Sequence, residues 1–190
     1  MTHFLDIQVS DELLTRVRAG DVSAYEQVYA SFSRPVYTLL RRLVVRPAVA
    51  EELLQDVFVE ILRSVRNYSG AGSFAGWVRS IAVSKALMHL RSPWHRRLLP
   101  IGDEELHLVD QSHPEPWSDG LQHALNALPA VSRSVVWLHD VEGYTHGEIA
   151  RLFGRTPSFS KSQLARAHEQ LRDLLEPQAG GLPCMPVIKS

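Results

Sequence analysis

The stretch LPAVSRSVVWLHDVEGYTHGEIARLFGRTPSFSKSQLARAHEQLRDLL, Leu128 to Leu175, decides the reading of this chain. It reads as two short helices and a basic third one folded around a tight turn. Thr145 and Glu148 form a capping box, in which the hydroxyl accepts from the amide three residues on and the carboxylate reaches back to the Thr amide. Ile149, Ala150 and Phe153 then share one helix face. Gly154 stops that helix where the backbone must turn left-handed. Thr156-Pro157 restarts it as an N-cap followed by proline at the first helical position. The next helix carries Lys161, Arg166 and Arg172 outward and Leu164, Ala167 and Leu171 inward. Helix, glycine turn, basic helix is the helix-turn-helix layout, whose second helix enters the major groove of DNA. The same pattern also describes an ordinary helical hairpin, so this stretch alone leaves both readings open.

Working outward, the chain has 190 residues, 45% apolar content and a formal net charge of −1. That is ordinary for a globular protein, and any nucleic-acid affinity must come from local charge asymmetry rather than from the total. Cys184 is the single cysteine, which rules out an intrachain disulfide and fits a reducing cytoplasm. No stretch approaches the roughly 20 apolar residues of a membrane span. The nine histidines include no His-Glu-x-x-His, and there is no phosphate-binding glycine loop, so an enzyme is not expected. His139 and His146 are read as surface or capping residues, kept off a common helix by Gly143.

Before Pro93, apolar residues recur every three or four positions. Helices are expected around Leu13, Leu14 and Val17, around Ala24, Val28 and Phe32, and around Val36, Leu39, Leu40 and Leu43. A long one runs Ala50–Val65, and a last one Trp77–Leu90. The expected fold is all-α: two small helical domains (residues 1–97 and 120–176) joined by a flexible acidic linker (98–119), with a loose tail at 177–190. The linker holds Asp103, Glu104, Glu105, Asp110, Glu115 and Asp119, three prolines and no Lys or Arg. The first domain closes on a basic run, Lys85, Arg91, Arg96 and Arg97. Two basic ends around an acidic connector is not the charge pattern of a plain helical scaffold.

Several blocks, in order, resemble the bacterial extracytoplasmic-function (ECF) sigma factors of the sigma-70 family. Gly20-Asp21 with Tyr25, Val28 and Tyr29, and Ala50-Glu51-Glu52-Leu53-Leu54-Gln55-Asp56-Val57-Phe58, resemble its second region. Ser73-Phe74-Ala75-Gly76-Trp77-Val78, Ile81-Ala82 and Leu90-Arg91 resemble its promoter-melting part. Ala124–Pro129, Arg133, Glu142–Thr145, Glu148–Ala150 and Lys161-Ser162 resemble its fourth region. The resemblance implies a non-enzymatic, cofactor-free cytoplasmic subunit that docks on the beta-prime clamp and beta flap of core RNA polymerase. Such a subunit recognises two promoter elements and helps to melt the DNA. An anti-sigma factor or a Ser/Thr kinase would be a further partner, and the runner-up is a stand-alone helix-turn-helix regulator.

By that resemblance, Glu51, Glu52, Gln55, Asp56, Phe58 and Glu60 would bind core polymerase. Asn67, Tyr68, Ser69, Ser73, Ser84, Lys85, Met88 and Arg91 would meet the minus-ten element, with the 67–73 loop shaping a pocket for a flipped base. Ser160, Lys161, Ser162, Ala165 and Arg166 would meet the minus-thirty-five element. The spacing of Phe74 and Trp77 instead matches the inward face, so both are expected in the core. The chain departs from the family pattern at Val49, Ser84 and Met88, where Asp, Asn and Asp are usual, and over Arg155–Ser160. The first departure removes a negative charge that phosphorylation supplies in some relatives. Here Glu51 and Glu52 already carry charge beside it.

Overall fold

A computed structural model of the chain describes residues 4–70, 72–91 and 119–176. The expected linker at 98–119 lies outside them except for its last residue, Asp119, which instead opens a helix; the tail with Cys184, and Arg96 and Arg97, lie outside them too. Among the described residues every regular element is helical.

The first half is a bundle of α1 (Asp11–Arg18), α2 (Val22–Leu43), α3 (Pro47–Ser64) and α4 (Phe74–Arg91). Two side-chain caps set its entry. Ser10 accepts from the Leu13 amide at 3.2 Å, and Asp21 accepts from the Ala24 amide at 3.2 Å. Between them Gly20 turns the chain at φ +85°. Arg16 donates to Asp21 at 2.8 Å and, with the Ala24 amide, holds that carboxyl below its ordinary range.

Two helices expected around Val28 and around Leu39 are one. α2 runs unbroken through Pro35. Proline lacks the amide for its interior bond and crowds the preceding turn. Here Phe32, Val36, Leu39 and Leu40 continue a single buried stripe on both sides of it, so burial outweighs the local cost. Val57 and Ile61 of α3 and Val78, Ala82 and Leu87 of α4 complete the core without measurable exposure. Phe32 meets Phe74 edge-on at 5.7 Å and Phe4 at 5.9 Å.

The second half comprises α5 (Asp119–Ala127), α6 (Ala130–Val136), α7 (His146–Phe153) and α8 (Pro157–Leu175). α6 runs into a single π-helical turn, Trp137–Val141, closed by Glu142 N–H to Trp137 C=O at 3.0 Å. Leu138, Ile149 and Ala167 are fully buried, and Phe153 packs on Phe159 at 5.8 Å. The halves are not separate bodies: α2 packs on α6 and α4 on α7.

Candidate polymerase and promoter interfaces

On α3 the apolar stripe Ala50, Leu53, Val57 and Ile61 points inward, so the positions between them face solvent. Glu51, Glu52, Gln55 and Asp56 are all exposed there. Phe58 is not. Its side chain is buried, in a T-shaped contact with Tyr25 and 4.6 Å from the Tyr29 ring. The apolar members of the exposed surface are instead Val59 and Leu62, with Tyr29 beside them on α2. An apolar residue inside an amphipathic helix reads as core in the sequence, so neither Val59 nor Leu62 stands out there as a docking candidate. Glu60 is half-buried and accepts an ion pair from Lys85 of α4 at 3.1 Å.

The segment before α4 divides in two. Asn67, Ser69 and Ser73 are exposed, and Ser73 Oγ accepts from the Gly76 amide at 3.0 Å, which caps α4. Tyr68 is buried. Its ring lies 5.5 Å from Phe74 and 5.2 Å from Trp77, and its hydroxyl donates to Gly72 C=O at 2.8 Å. It fastens the segment to the bundle and offers no face for base stacking. Phe74 is core as expected, and Trp77 is half-buried against it. Along α4, Ser84, Met88 and Arg91 share exposure, while Lys85 is held by Glu60.

The capping box of α7 and the glycine stop that follows it are built as their residues predict. Thr145 Oγ1 accepts from the Glu148 amide at 3.3 Å, and Glu148 Oε2 accepts from the Thr145 amide at 2.8 Å. Those bonds hold the Glu148 carboxyl below its ordinary value. At the other end Arg155 N–H donates to Ala150 C=O at 2.8 Å and Gly154 N–H to Arg151 C=O at 3.1 Å, with Gly154 at φ +62°. That pair of bonds is the Schellman motif. Thr156 stands at the N-cap of α8, but its side chain makes no cap bond.

On α8, Lys161, Ser162, Ala165 and Arg166 are exposed along one side. Ser160 is fully buried, 3.1 Å from His146 Nδ1, so its hydroxyl positions the helix start rather than facing outward. The histidines are also more engaged than expected. His139 and His146 stack at 4.5 Å across the Gly143 turn, and Asp140 bridges His139 Nδ1 at 2.8 Å and His168 Nε2 at 2.6 Å. Burial, His139 and Lys161 together push the His146 imidazole below its ordinary value.

The seam between the halves is lined by arginines. The Arg42 guanidinium sits 5.0 Å from the Trp137 ring centre and donates to Gln122 Oε1. Arg79 lies 4.7 Å over the Tyr144 ring and donates to Glu142 C=O at 3.0 Å and to its carboxylate at 3.3 Å. Arg133, only 7% exposed, donates to Leu128 C=O at 3.1 Å and reaches Leu43 C=O at the end of α2 at 3.4 Å. Burial lowers its guanidinium to about 10, which still leaves it charged at neutral pH. Sequence reading placed Arg133 only by resemblance; a cation inside an apolar helix carries no periodic signal.

Residues 28–96 match the family described as Sigma-70 region 2, and residues 118–171 match Sigma-70, region 4. The chain is 31% identical over 166 residues to the RNA polymerase sigma factor CarQ of Myxococcus xanthus, covering 85% of this chain and 95% of that protein. It is also 31% identical over 166 residues to the ECF RNA polymerase sigma factor SigE of Mycolicibacterium smegmatis, covering 82% of this chain and 64% of that protein's length. Among solved structures, its fold resembles the sigma factor RpoE in complex with the anti-sigma factor NepR from Bartonella quintana. The TM-score is 0.57 at 19% identity, over 81% of this chain and 98% of that one. It also resembles CnrH in complex with the cytosolic domain of CnrY, with a TM-score of 0.52 at 18% identity, over 86% and 95%. A helix-turn-helix following a four-helix bundle, matched in order by both regional families and by a relative along nearly its whole length, places this chain in the sigma-70 family of RNA polymerase sigma factors, in the ECF group, as a promoter-recognising subunit rather than a stand-alone regulator.

Proposed function

We propose that the separate faces of this sigma factor divide its work as follows. The exposed acidic side of α3 (Glu51, Glu52, Gln55 and Asp56, with Val59 and Leu62) docks on a basic, partly apolar surface of core polymerase. Asn67, Ser69 and Ser73 with the outer face of α4 (Ser84, Met88 and Arg91) meet the minus-ten element. Lys161, Ser162, Ala165 and Arg166 meet the minus-thirty-five element, the cations pairing with phosphates or guanine edges. The observation that carries this reading is the segregation of exposed charge in the first ten residues of each helix: the carboxylates Glu51, Glu52 and Asp56 on α3, and the cations Lys161 and Arg166 on α8. Phe58, Tyr68 and Ser160 support these faces from behind. The protein performs no chemistry of its own and works in the cytoplasm, where polymerase and promoter meet. An anti-sigma factor is proposed as its controlling partner, by analogy with RpoE, which was solved in complex with the anti-sigma factor NepR.

The test is run-off transcription from fragmented bacterial DNA by core polymerase with and without the protein. Transcripts that require it, sharing upstream sequences, support the assignment. Lys161→Ala and Arg166→Ala are then expected to weaken use of those promoters, and each to lower the salt slope of DNA binding by about 1. Absence of both transcripts and co-elution with core polymerase would refute it.

A further inference from the structure

His139, Asp140, His146 and His168 converge beside the start of α8 and take no part in the interfaces assigned above. The π-helical turn, Trp137–Val141, supplies the first two, and single turns of this kind are frequent at functional sites. Asp140 accepts on both carboxylate oxygens, from His139 Nδ1 at 2.8 Å and from His168 Nε2 at 2.6 Å. A carboxylate can only accept, so each imidazole commits that N–H to it. His139 Nε2 and His168 Nδ1 are then the atoms left to take a proton. His146, the first residue of α7, stacks on His139 with ring centres 4.5 Å apart, and its Nδ1 lies 3.1 Å from Ser160 Oγ. A hydroxyl can donate or accept, so that bond survives a proton on His146.

The cluster borders the cations proposed for the minus-thirty-five element. Lys161, Ala165 and His168 stand at i, i+4 and i+7 on α8 and are all exposed, so His168 continues the face that Lys161 begins. The side chains of His139, Asp140 and His168 are 33%, 34% and 48% exposed, within reach of a ligand outside. Burial first, then His139 and Lys161, disfavour the charged form of His146, while Asp140 favours it. Glu148 of α7 turns back to Thr145, and Arg79 of α4, which packs on α7, is engaged by Glu142 and Tyr144. With neutral imidazoles, Lys161 and Asp140 cancel one another. Each proton taken up leaves this edge net positive, and a phosphate of the DNA backbone supplies the anion that such a charge calls for. A cluster that merely seated α8 would be loosened by protons and would weaken DNA binding in acid. A phosphate contact strengthens it, so the sign of the pH dependence separates the two.

We infer that His139, His146 and His168, set around Asp140, form a proton-dependent contact for a backbone phosphate at the edge of the DNA held by Lys161 and Arg166. Such a contact positions the duplex and reads no sequence. The imidazolium formed on proton uptake pairs with the phosphate as the ammonium of Lys161 does. Because the free fold holds His146 below its ordinary value, that imidazole is neutral near neutral pH, and the arrival of DNA is what charges it. The inference rests on the reading of α8 as the DNA-facing helix, but a backbone contact needs no promoter sequence, so the two can fail separately.

The test follows binding of the full chain to two labelled duplexes by fluorescence anisotropy. One carries the upstream sequence shared by the run-off transcripts, and the other the same bases scrambled. Between about pH 8 and about pH 5.5, at ~0.1 M salt, affinity for both is expected to rise roughly five- to tenfold. The salt slope is expected to steepen by about 1 for each phosphate contact added. His139→Gln, His146→Gln and His168→Gln combined are expected to flatten the pH curve with helical content unchanged. His168→Gln alone, at a half-exposed side chain, is expected to lose part of the rise. Asp140→Asn removes the carboxylate that repels a phosphate, and is expected to bind both duplexes more tightly at about pH 8, a gain that misfolding cannot produce. Affinity that ignores pH or falls in acid overturns the inference, as does a rise that the combined variant keeps. A preference for the promoter duplex without an acid rise refutes the phosphate contact and leaves the minus-thirty-five reading standing. An equal acid rise on both duplexes without preference does the reverse, and binding of neither duplex at any pH refutes both.

Discussion

Gly154→Ala isolates the turn that sets the recognition helix. The native residue sits at φ +62°, and both Schellman bonds, 2.8 Å and 3.1 Å, depend on that conformation. A Cβ there would meet only the Arg91 guanidinium, at 3.9 Å, which is ordinary contact. The cost is therefore one of backbone alone: roughly 1–2 kcal/mol for an L-residue held left-handed. For a chain of this size each kcal/mol moves the midpoint by about 2–4 °C, so a loss of about 2–8 °C is expected. Asparagine tolerates this conformation, and Gly154→Asn is expected to lose less than half as much. Thermal unfolding followed by circular dichroism measures both. Because the strain is present in free and DNA-bound protein alike, affinity for a minus-thirty-five duplex should change little while the midpoint falls. An alanine variant as stable as the native protein, or an asparagine variant that loses as much as the alanine one, would refute the reasoning.

Three further outcomes are expected. Thr145→Ala and Glu148→Ala should each cost about 1 kcal/mol, and together less than their sum, because each satisfies the other's amide; additive losses in a double-mutant cycle would contradict reciprocal capping. The protonation of two side chains should shape the acid limb of stability. Glu148 is held below its ordinary carboxylate value, so its contribution is present above about pH 4.5 and lost as pH falls through the lowered value, and Glu148→Gln should remove that dependence. His146 is likewise held below its ordinary value, so the neutral form suits the fold. Stability should be intact above about pH 6.5 and decline as pH falls through the lowered value, with His146→Gln flattening the curve below about pH 6.5. On the docking face, Glu52→Lys with Asp56→Lys should abolish co-elution with core polymerase while leaving stability within ~0.5 kcal/mol, since both side chains are exposed. Retained co-elution would move the docking surface elsewhere.

The helix-turn-helix was legible because its signals are local. A capping box, a left-handed glycine and an N1 proline each act within four residues, and all three stand where the residues put them. The bundle was legible through its 3.6-residue stripes, but α2 shows where local rules stop. Pro35 reads as a break, and only the match of Phe32, Val36 and Leu39 to one long inward face, a tertiary fact, carries the helix through it. Identity alone likewise could not place Phe58, Tyr68 and Ser160 correctly. An aromatic or a serine inside a motif looks equally suited to a partner or to packing. The deciding quantity is which way its helix is rolled, and that is set by neighbours remote in the chain.

The same reasoning explains why the seam had no sequence signature. Arg42, Arg79 and Arg133 are separated from their partners Trp137, Glu142, Tyr144 and Leu43 by long intervals, and Arg79 to Glu142 alone spans 63 positions. On its own helix each arginine reads as an outward charge. Placed against an aromatic ring or a bare helix-end carbonyl, it becomes an interior group whose guanidinium must be satisfied by the opposite half. A sigma factor needs surfaces for polymerase, for DNA and for its own controllers on one small chain. Cations suit such shared surfaces because the same guanidinium can stack on an aromatic ring in one state and pair with a phosphate in another. Core residues such as Phe32 and Ile149 fix what each half is. The arginines at the seam join one half to the other.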